Sequence, residues 1–190
     1  MTVKIPRICS DLTKQINFVS KVLNKKEKGS YGKTVNAIFF DENVKRIVAT
    51  DGNRMHYADL DEDSMAVIMG AGMVEGTYKI IASTKNEIIL EKDDATFPNY
   101  KAILPDITAA VHTAELKVSD TLFNKCDLLT MLYNLPEKTC YNLDFFRDLI
   151  VKKDCIVYNV YWYGKEDAIM FQSKEAPIAL CLMMPLNDGR

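Results

Sequence analysis

The sequence predicts an α+β fold in which a β-α-β-β-β unit is repeated and the helices lie on one face of antiparallel sheets. Three observations predict it: β-prone runs are joined by short turns, an amphipathic helix follows the first run, and the same order of elements recurs near the carboxyl end. Strands joined by hairpins pair antiparallel, and such a sheet buries one face under helices. The 190 residues are enough for two small domains.

The first unit begins with a strand over residues 3–8 and an amphipathic helix that ends near Asn24. Ser10 is the expected N-cap of this helix. Apolar residues recur on one side of the helix at Leu12, Ile16, Val19 and Leu23. Three strands follow over residues 34–40, 45–50 and 54–60, with turns at 41–43 and 51–53.

The β pattern continues through the middle of the chain. Further strands are expected over residues 65–69, 77–82 and 87–91, followed by an extended strap from Phe97 to Pro105. A strand over residues 111–118 and a helix over 122–135 come next, and Pro136 ends that helix.

The β-α-β-β-β order is expected again from Thr139. A short strand to Asn142 leads to a helix over residues 143–150, and three strands follow over 155–163, 167–173 and 178–184. We place the domain boundary after residue 107, which gives domains 1–107 and 108–190.

Composition excludes several classes of protein. The cysteines are five in number, lie far apart and contain no Cys-x-x-Cys pair, which speaks against a disulfide framework or a zinc site. The first residues contain no long apolar segment, so we expect a soluble, cytoplasmic protein. The net charge of −2 argues against a generic basic nucleic-acid coat, although lysines are concentrated between residues 14 and 33.

The sequence predicts neither a catalytic residue nor a cofactor. His56 lies within a strand pattern and is interpreted as a packing residue, because no nucleophile motif accompanies it. Asp59, Asp61 and Asp63 alternate as in a calcium loop, but the required glycine and glutamate do not follow. We interpret them as a solvated acidic turn and expect no metal site.

Three motifs carry a resemblance to a known family. They are the turn Ala49-Thr50-Asp51-Gly52-Asn53-Arg54, the strap Phe97-Pro98-Asn99-Tyr100 with Ile103-Leu104-Pro105, and the end Met184-Pro185-Leu186. In this order they resemble the bacterial replicative sliding clamp, the β subunit of DNA polymerase III, and residues 140–149 are similar to a late helix of it. The resemblance covers most of the chain. It implies a DNA-clamp fold in which 1–107 corresponds to the middle clamp domain and 108–190 to a shortened last domain.

The family is a non-enzymatic ring that encircles duplex DNA and binds short linear peptides of DNA polymerase and clamp loader. The matching residues here imply a peptide pocket lined by Thr50, Gly52, Asn53, Arg54, Met55, Pro98, Met184, Pro185 and Leu186. Methionine and leucine offer adaptable apolar surface for peptide anchors. The alternative is purely structural, with Gly52 and Asn53 serving the turn and Met184 and Leu186 the core. Two positions depart from the family: Asn53 replaces a histidine, and the tail lacks the Met-Arg-Leu ending.

Clamp helices line the hole of the ring, so the resemblance also implies contacts with DNA phosphates that do not depend on base sequence. The basic residues concerned are Lys14, Lys21, Lys25, Lys28, Lys125, Arg147, Lys152 and Lys153. The alternative for the lysines of the first helix is an ordinary solvated helix face.

Assembly and function follow from the same resemblance. Two domains per chain imply a homo-oligomeric ring of three copies, with a dimer as the other option, and a compact clamp of a phage or mobile element. A clamp-like regulatory or decoy protein, which binds replication partners without encircling DNA, is the second hypothesis. A small enzyme that uses Asp51, Arg54 and His56 is the third.

Overall fold

The computed structural model describes residues 1–23, 36–119, 125–137, 139–150, 155–175 and 179–186. The chain divides into two units, Met1–Ala102 and Ile103–Arg190. The division therefore lies between Ala102 and Ile103, whereas the sequence expectation put it after residue 107.

The first unit contains six described strands and two α-helices. Its elements are β1 (Thr2–Pro6), α1 (Ser10–Val19), β2 (Ile38–Asp41), β3 (Arg46–Thr50), β4 (Arg54–Asp59), α2 (Glu62–Gly70), β5 (Gly76–Ser83) and β6 (Glu87–Asp93). The strands pair antiparallel in the order β1-β6-β5-β2-β3-β4. The β3–β4 hairpin predicted from the sequence is confirmed, and its strands begin and end within one residue of the expected positions.

The two faces of this sheet have different coverings. In β3, Ile47 and Ala49 lie on the face that α1 covers, because α1 contacts β3 and β4 and Phe18 of α1 stacks on His56 of β4. Val48 and Thr50 point to the other face, since neighbouring strand residues alternate. That second face carries the strap residues described below.

Helix α1 buries the predicted apolar side, with one correction at each end. Its N-cap is Cys9 and not the expected Ser10, because the Cys9 side chain accepts a hydrogen bond from the Leu12 backbone N–H. Leu12, Ile16 and Val19 are buried, but the next buried residue is Val22 rather than Leu23. The chain tightens into a 3-10 turn over Ser20–Val22, and three residues per turn bring position 22 onto the side of position 19. The helix accordingly ends before the expected Asn24.

The strand predicted over residues 65–69 is wrong, because these residues belong to α2. The Asp61 carboxylate accepts a hydrogen bond from the Ser64 backbone N–H at 2.7 Å and caps the helix. Glu62 and Asp63 stand in its first turn, where negative charge is favourable. Ser64 and Ile68 are the buried residues, four positions apart as a helix requires.

The turn between β2 and β3 holds Lys45 at a φ of 51°, a conformation that costs a non-glycine residue about 1–2 kcal/mol. The Lys45 carbonyl accepts a hydrogen bond from the Leu60 backbone N–H at 2.8 Å, which fixes this backbone position. We expect Lys45→Gly to raise the free energy of unfolding by about 0.5 kcal/mol, because glycine's own entropic cost offsets part of the relief. Urea unfolding measures the change. Lys85→Gly, in the β5–β6 turn, is the matched control and should not stabilise the protein. Equal changes in the free energy of unfolding at both positions would show that the Lys45 backbone is not strained.

The second unit contains four described strands and one α-helix. They are β7 (His112–Ser119), α3 (Lys125–Tyr133), β8 (Cys155–Trp162), β9 (Ile169–Ser173) and β10 (Ala179–Met183). The strands pair antiparallel in the order β10-β9-β8-β7. The β-α-β-β-β order is thus present, but its first strand is β7 and its helix is α3.

Three predicted segments have a different structure. Residues 139–142 form no strand, and residues Leu143–Leu149 form a 3-10 helix capped by the Asn142 side chain. The strap expected to be extended from Phe97 to Pro105 contains a 3-10 turn over Tyr100–Ile103. Phe146 of the 3-10 helix contacts Phe171, and Tyr100 of the strap binds Asp41; both contacts join residues distant in sequence, which the local pattern does not reveal.

Candidate functional site

The turn between β3 and β4 is organised by the carboxylate of Asp51. Its Oδ1 accepts hydrogen bonds from the backbone N–H groups of Asn53 and Arg54, both at 2.9 Å. Its Oδ2 accepts a hydrogen bond from Arg54 Nε at 2.9 Å. Gly52 has a φ of 88°, where only glycine is free of strain. The turn is therefore a rigid loop with an internal ion pair.

The Thr50 hydroxyl completes this turn. It donates a hydrogen bond to the Arg54 carbonyl at 2.8 Å and accepts one from the Gly52 backbone N–H at 3.1 Å. Gly52 and Asn53 are exposed at the tip, whereas Thr50 and Arg54 are half-buried. The turn thus presents its tip to solvent and holds the Arg54 guanidinium in one position.

Removing the Asp51 carboxylate should loosen this loop. We expect Asp51→Ala to lower the free energy of unfolding by about 1–2 kcal/mol, because two backbone donors and one charged donor lose their acceptor. Thermal or urea unfolding measures the loss. Asp94→Ala removes an exposed carboxylate after β6 and should change stability by less than about 0.5 kcal/mol. Equal losses in the two variants would show that Asp51 does not organise the turn.

The strap is anchored on both sides of Pro98. Before it, Phe97 stacks on Phe39 with ring centroids 5.1 Å apart. After it, the Tyr100 hydroxyl donates a hydrogen bond to Asp41 Oδ2 at 2.8 Å, and Lys101 Nζ lies 2.7 Å from the same oxygen. Burial opposes the charge on Asp41, but these donors hold the pKa of its carboxyl below the ordinary value. Pro98 itself is exposed.

Strand pairing relates the strap to the turn. Phe39 lies opposite Val48, and Thr50 follows two positions later on the same face. The strap therefore rests on the face of the first unit's sheet to which Thr50 points. Met55, directly opposite Thr50, is 1% exposed. This exposure corrects the expectation for Met55, which belongs to the interior and not to an accessible lining.

The tail residues of the predicted pocket lie in the second unit. The Leu186 backbone N–H donates a hydrogen bond to the Cys140 carbonyl at 2.8 Å, which fixes the chain beyond β10. The side chains of Met184 and Leu186 are 42% and 52% exposed, and Pro185 is half-buried. The core role weighed for Met184 and Leu186 is wrong, because this segment presents two apolar side chains to solvent.

The predicted basic residues are described only in part. Lys14 is exposed on α1 with Nζ 4.0 Å from Asp11 Oδ1, and Lys21 is half-buried with Nζ 5.7 Å from the centroid of the Phe18 ring. Arg147 is exposed and lies 3.3 Å from Asp144. The side chains of the remaining five lie outside the described residues: Lys25, Lys28, Lys125, Lys152 and Lys153.

His56 is a buried packing residue, as interpreted from the sequence. It is 0% exposed, stacks on Phe18 at 4.8 Å, and its Nδ1 lies 3.0 Å from the Phe18 carbonyl. Because a carbonyl only accepts, Nδ1 carries the proton of a neutral imidazole. Burial, with the nearby Arg54 and Lys21 charges, lowers the pKa of His56 to about 3. A substrate cannot reach this ring, so His56 cannot act as the general base in the enzyme hypothesis.

The acidic turn after β4 also has a structural role. Asp59 forms an ion pair with Arg46 at 2.5 Å, and Asp61 caps α2. Among the described residues, no group of three or more histidine, cysteine, aspartate or glutamate side chains is placed to hold a metal ion. No helix in the described ranges is long and apolar enough to cross a membrane.

The sequence motifs do not identify the residues that position the turn and the strap, which are Asp51, Asp41 and Tyr100. Asp51 could have been found, because an aspartate directly before the glycine of a hairpin turn often caps that turn. The Asp41–Tyr100 bond joins residues 59 positions apart, and no local pattern signals such a pair.

Solved structures with similar folds are bacterial β sliding clamps. The sliding clamp of Bartonella birtlesii bound to griselimycin aligns with a TM-score of 0.56 at 16% identity and covers 98% of this chain. The Helicobacter pylori β clamp bound to a DNA ligase peptide aligns with a TM-score of 0.51 at 13% identity, again over 98%. The DNA polymerase III β subunit of Thermotoga maritima gives 0.52 at 15% identity over 98%.

This chain therefore has the sliding-clamp fold, and the resemblance drawn from the motifs is confirmed at the level of the fold. The chain spans 65% to 66% of the length of these clamps. No protein-family model matches the sequence, and no match is found among curated proteins.

Proposed function

We propose that this chain is a DNA polymerase processivity factor, a sliding clamp that encircles duplex DNA in the cytoplasm and tethers a polymerase through a short peptide. The observation that carries the proposal is the clamp fold over 98% of the chain. The first unit corresponds to the middle clamp domain and the second to the last. The protein catalyses no reaction; the buried, neutral His56 is consistent with this.

The first unit presents one candidate surface for a peptide. The exposed tip at Gly52 and Asn53 supplies backbone and amide groups, and Asp51 holds the Arg54 guanidinium at a fixed place. Pro98, exposed between two anchors of the strap, supplies a rigid apolar contact. Pre-organised groups bind with little loss of conformational entropy, so both anchors favour recognition of a short peptide.

The second unit presents an apolar candidate surface for a peptide. Met184 and Leu186 are about half exposed and stand on a chain segment held by the Leu186–Cys140 backbone hydrogen bond. Exposed apolar side chains on a fixed segment are suited to receive leucine or phenylalanine anchors of a partner. The partners are DNA polymerase and clamp loader.

Contacts with DNA are proposed for the basic residues of the helices. Lys14 is exposed on α1, and Lys21 follows in the 3-10 turn, half-buried beside the Phe18 ring. An ammonium group binds phosphate as a point charge. The remaining basic residues named from the sequence extend the same proposal.

The double variant Lys14→Glu/Lys21→Glu tests this surface. If both lysines contact phosphates, the slope of log affinity against log salt should fall by about 2, since each contact contributes about 0.9. Fluorescence anisotropy of a labelled duplex over a salt series measures the slope. Lys85→Glu, which makes the same substitution at a single position in an exposed turn, is the control. A double variant with the wild-type slope would contradict the assignment.

The number of copies in the assembly distinguishes a clamp that encircles DNA from a regulatory protein that does not. We propose a homotrimer, because six clamp domains close a ring in the family the sequence resembles. Native mass spectrometry over a concentration series should give three times the 21.6 kDa chain mass. A stable monomer that still binds a labelled peptide ending in Leu-Phe would instead support a regulatory protein that captures replication partners without encircling DNA.

A further inference from the structure

The methionines of the chain differ in their access to solvent. Met1, Met69 and Met184 are 62%, 47% and 42% exposed. The interior methionines, each at most 7% exposed, are Met55, Met73, Met131, Met170 and Met183. A thioether in contact with water is open to oxidants, whereas a close-packed interior excludes them. Of the three exposed methionines, Met184 alone belongs to the apolar surface that the second unit presents.

Met184 stands where the chain leaves strand β10. Met183, the last residue of β10, lies opposite Ile169 of β9 and is 0% exposed. Met184 follows it directly and is 42% exposed. Two adjacent methionines thus have opposite surroundings, and one of them serves as an internal reference for the other.

The segment that carries Met184 is fixed on both sides. Before it, Met183 is paired with β9. After it, the Leu186 backbone N–H donates a hydrogen bond to the Cys140 carbonyl at 2.8 Å. Pro185 lies between these two points, and its ring restricts φ. The Met184 thioether is therefore held at the surface, on the same short segment as the exposed Leu186 side chain.

Oxidation would change the chemistry of this surface without breaking the chain. Hydrogen peroxide transfers one oxygen atom to a thioether: the sulfur loses two electrons and becomes a sulfoxide, and the peroxide is reduced to water. A polar acceptor then replaces a flexible apolar group. A peptide that covers it loses apolar contact and removes the sulfoxide oxygen from water. Methionine sulfoxide reductases regenerate the thioether, so the change is reversible.

We propose that Met184 is an oxidation-sensitive contact: hydrogen peroxide converts its thioether to the sulfoxide and weakens peptide binding at the tail until the sulfoxide is reduced. The effect on binding rests on the proposed peptide surface of the second unit; the reactivity of Met184 does not. Leucine offers a similar apolar volume without sulfur, so Met184→Leu separates the sensitivity from the binding.

Peptide mapping of the full chain after peroxide treatment tests the reactivity. Met183 and Met184 are adjacent, so fragment-ion mass spectrometry compares them within one peptide. We expect the sulfoxide at Met184 and at the similarly exposed Met69, and none at Met183. Oxidation of Met183 to the same extent as Met184, or no oxidation of Met184 at a dose that oxidises Met69, would overturn the proposal.

Fluorescence anisotropy of the labelled Leu-Phe peptide tests the effect on binding. Dithiothreitol is added after the peroxide, because it reverses disulfides and sulfenic acids of cysteine but leaves methionine sulfoxide. Oxidised wild type should bind the peptide about tenfold more weakly, and a methionine sulfoxide reductase should restore the affinity. Met184→Leu should bind equally well before and after peroxide. Met69→Leu, the matched control, should lose affinity as the wild type does.

Oxidised wild type that binds as tightly as the untreated protein would refute the switch, and so would a Met184→Leu variant that loses affinity equally. Untreated wild type that binds no peptide would refute the proposed peptide surface and the switch with it. The peptide map separates the two failures, since it still shows whether Met184 is the reactive thioether of the tail.

Discussion

Replacing Leu186 by aspartate should weaken binding of a labelled peptide ending in Leu-Phe by about 100-fold. The variant removes apolar contact worth about 1.5–3 kcal/mol and puts a charge where the peptide would bury it. Leu186 is held in place through its backbone N–H, which the substitution retains. Its side chain is 52% exposed, so the fold should tolerate aspartate. Fluorescence anisotropy of the labelled peptide measures the affinity.

Leu143 provides a matched control for this variant. It is 53% exposed and belongs to the same unit, so Leu143→Asp makes the same chemical change at the same exposure. We expect Leu143→Asp to bind the peptide as the wild-type protein does. A peptide whose Leu-Phe is replaced by Ala-Ala should not bind either protein. Equal losses for Leu186→Asp and Leu143→Asp would refute a specific contact at the tail.

Acid should destabilise the protein through His56. The pKa of this imidazole is lowered from 6.5 to about 3 by burial, so the unfolded chain takes up a proton below pH 6.5 while the folded chain remains neutral. The contribution of neutral His56 to the free energy of unfolding is therefore fully present above pH 6.5 and is lost as the pH falls from 6.5 towards 3. Each pH unit in this window costs about 1.4 kcal/mol, or about 3 kcal/mol at pH 4.5.

The variant His56→Asn isolates this effect from that of the carboxylates. Its amide retains a donor for the Phe18 carbonyl but does not titrate, so the free energy of unfolding should depend less steeply on pH. At neutral pH the variant should be less stable than the wild type, because it lacks the ring that stacks on Phe18. Urea unfolding at several pH values between about 7 and 4.5 gives the two slopes. Identical slopes for wild type and variant would show that His56 is not the group that couples folding to acid.

Local sequence signals predicted the elements that local interactions determine. The β3–β4 hairpin was found because Asp51 and Gly52 act within the turn itself. The sequence predicts a strand where α2 lies, because Val67 and Ile68 favour β-structure, and the cap at Asp61 is not part of that pattern. Helix α1 ended early because Val22, not Leu23, completes its buried side.

The sequence names residues of the proposed site only where a motif is contiguous, as in the turn and the tail. Met55 is interior, and alternation alone does not tell which face of a strand is covered. The anchors of the strap, Asp41 and Tyr100, lie 59 positions apart in the sequence. Their pairing depends on the folded sheet, and a single sequence contains no signal for it.

The most direct test of the central claim is topological retention on DNA. The protein is dissociated, allowed to reassemble in the presence of a closed circular plasmid, and then separated from free protein by gel filtration at high salt. A closed ring should remain with the circular plasmid at a salt concentration that abolishes phosphate contacts, and it should be released when a restriction enzyme cuts the plasmid once. Protein that never stays on the circle at high salt, or that stays equally well after cutting, would contradict a sliding clamp.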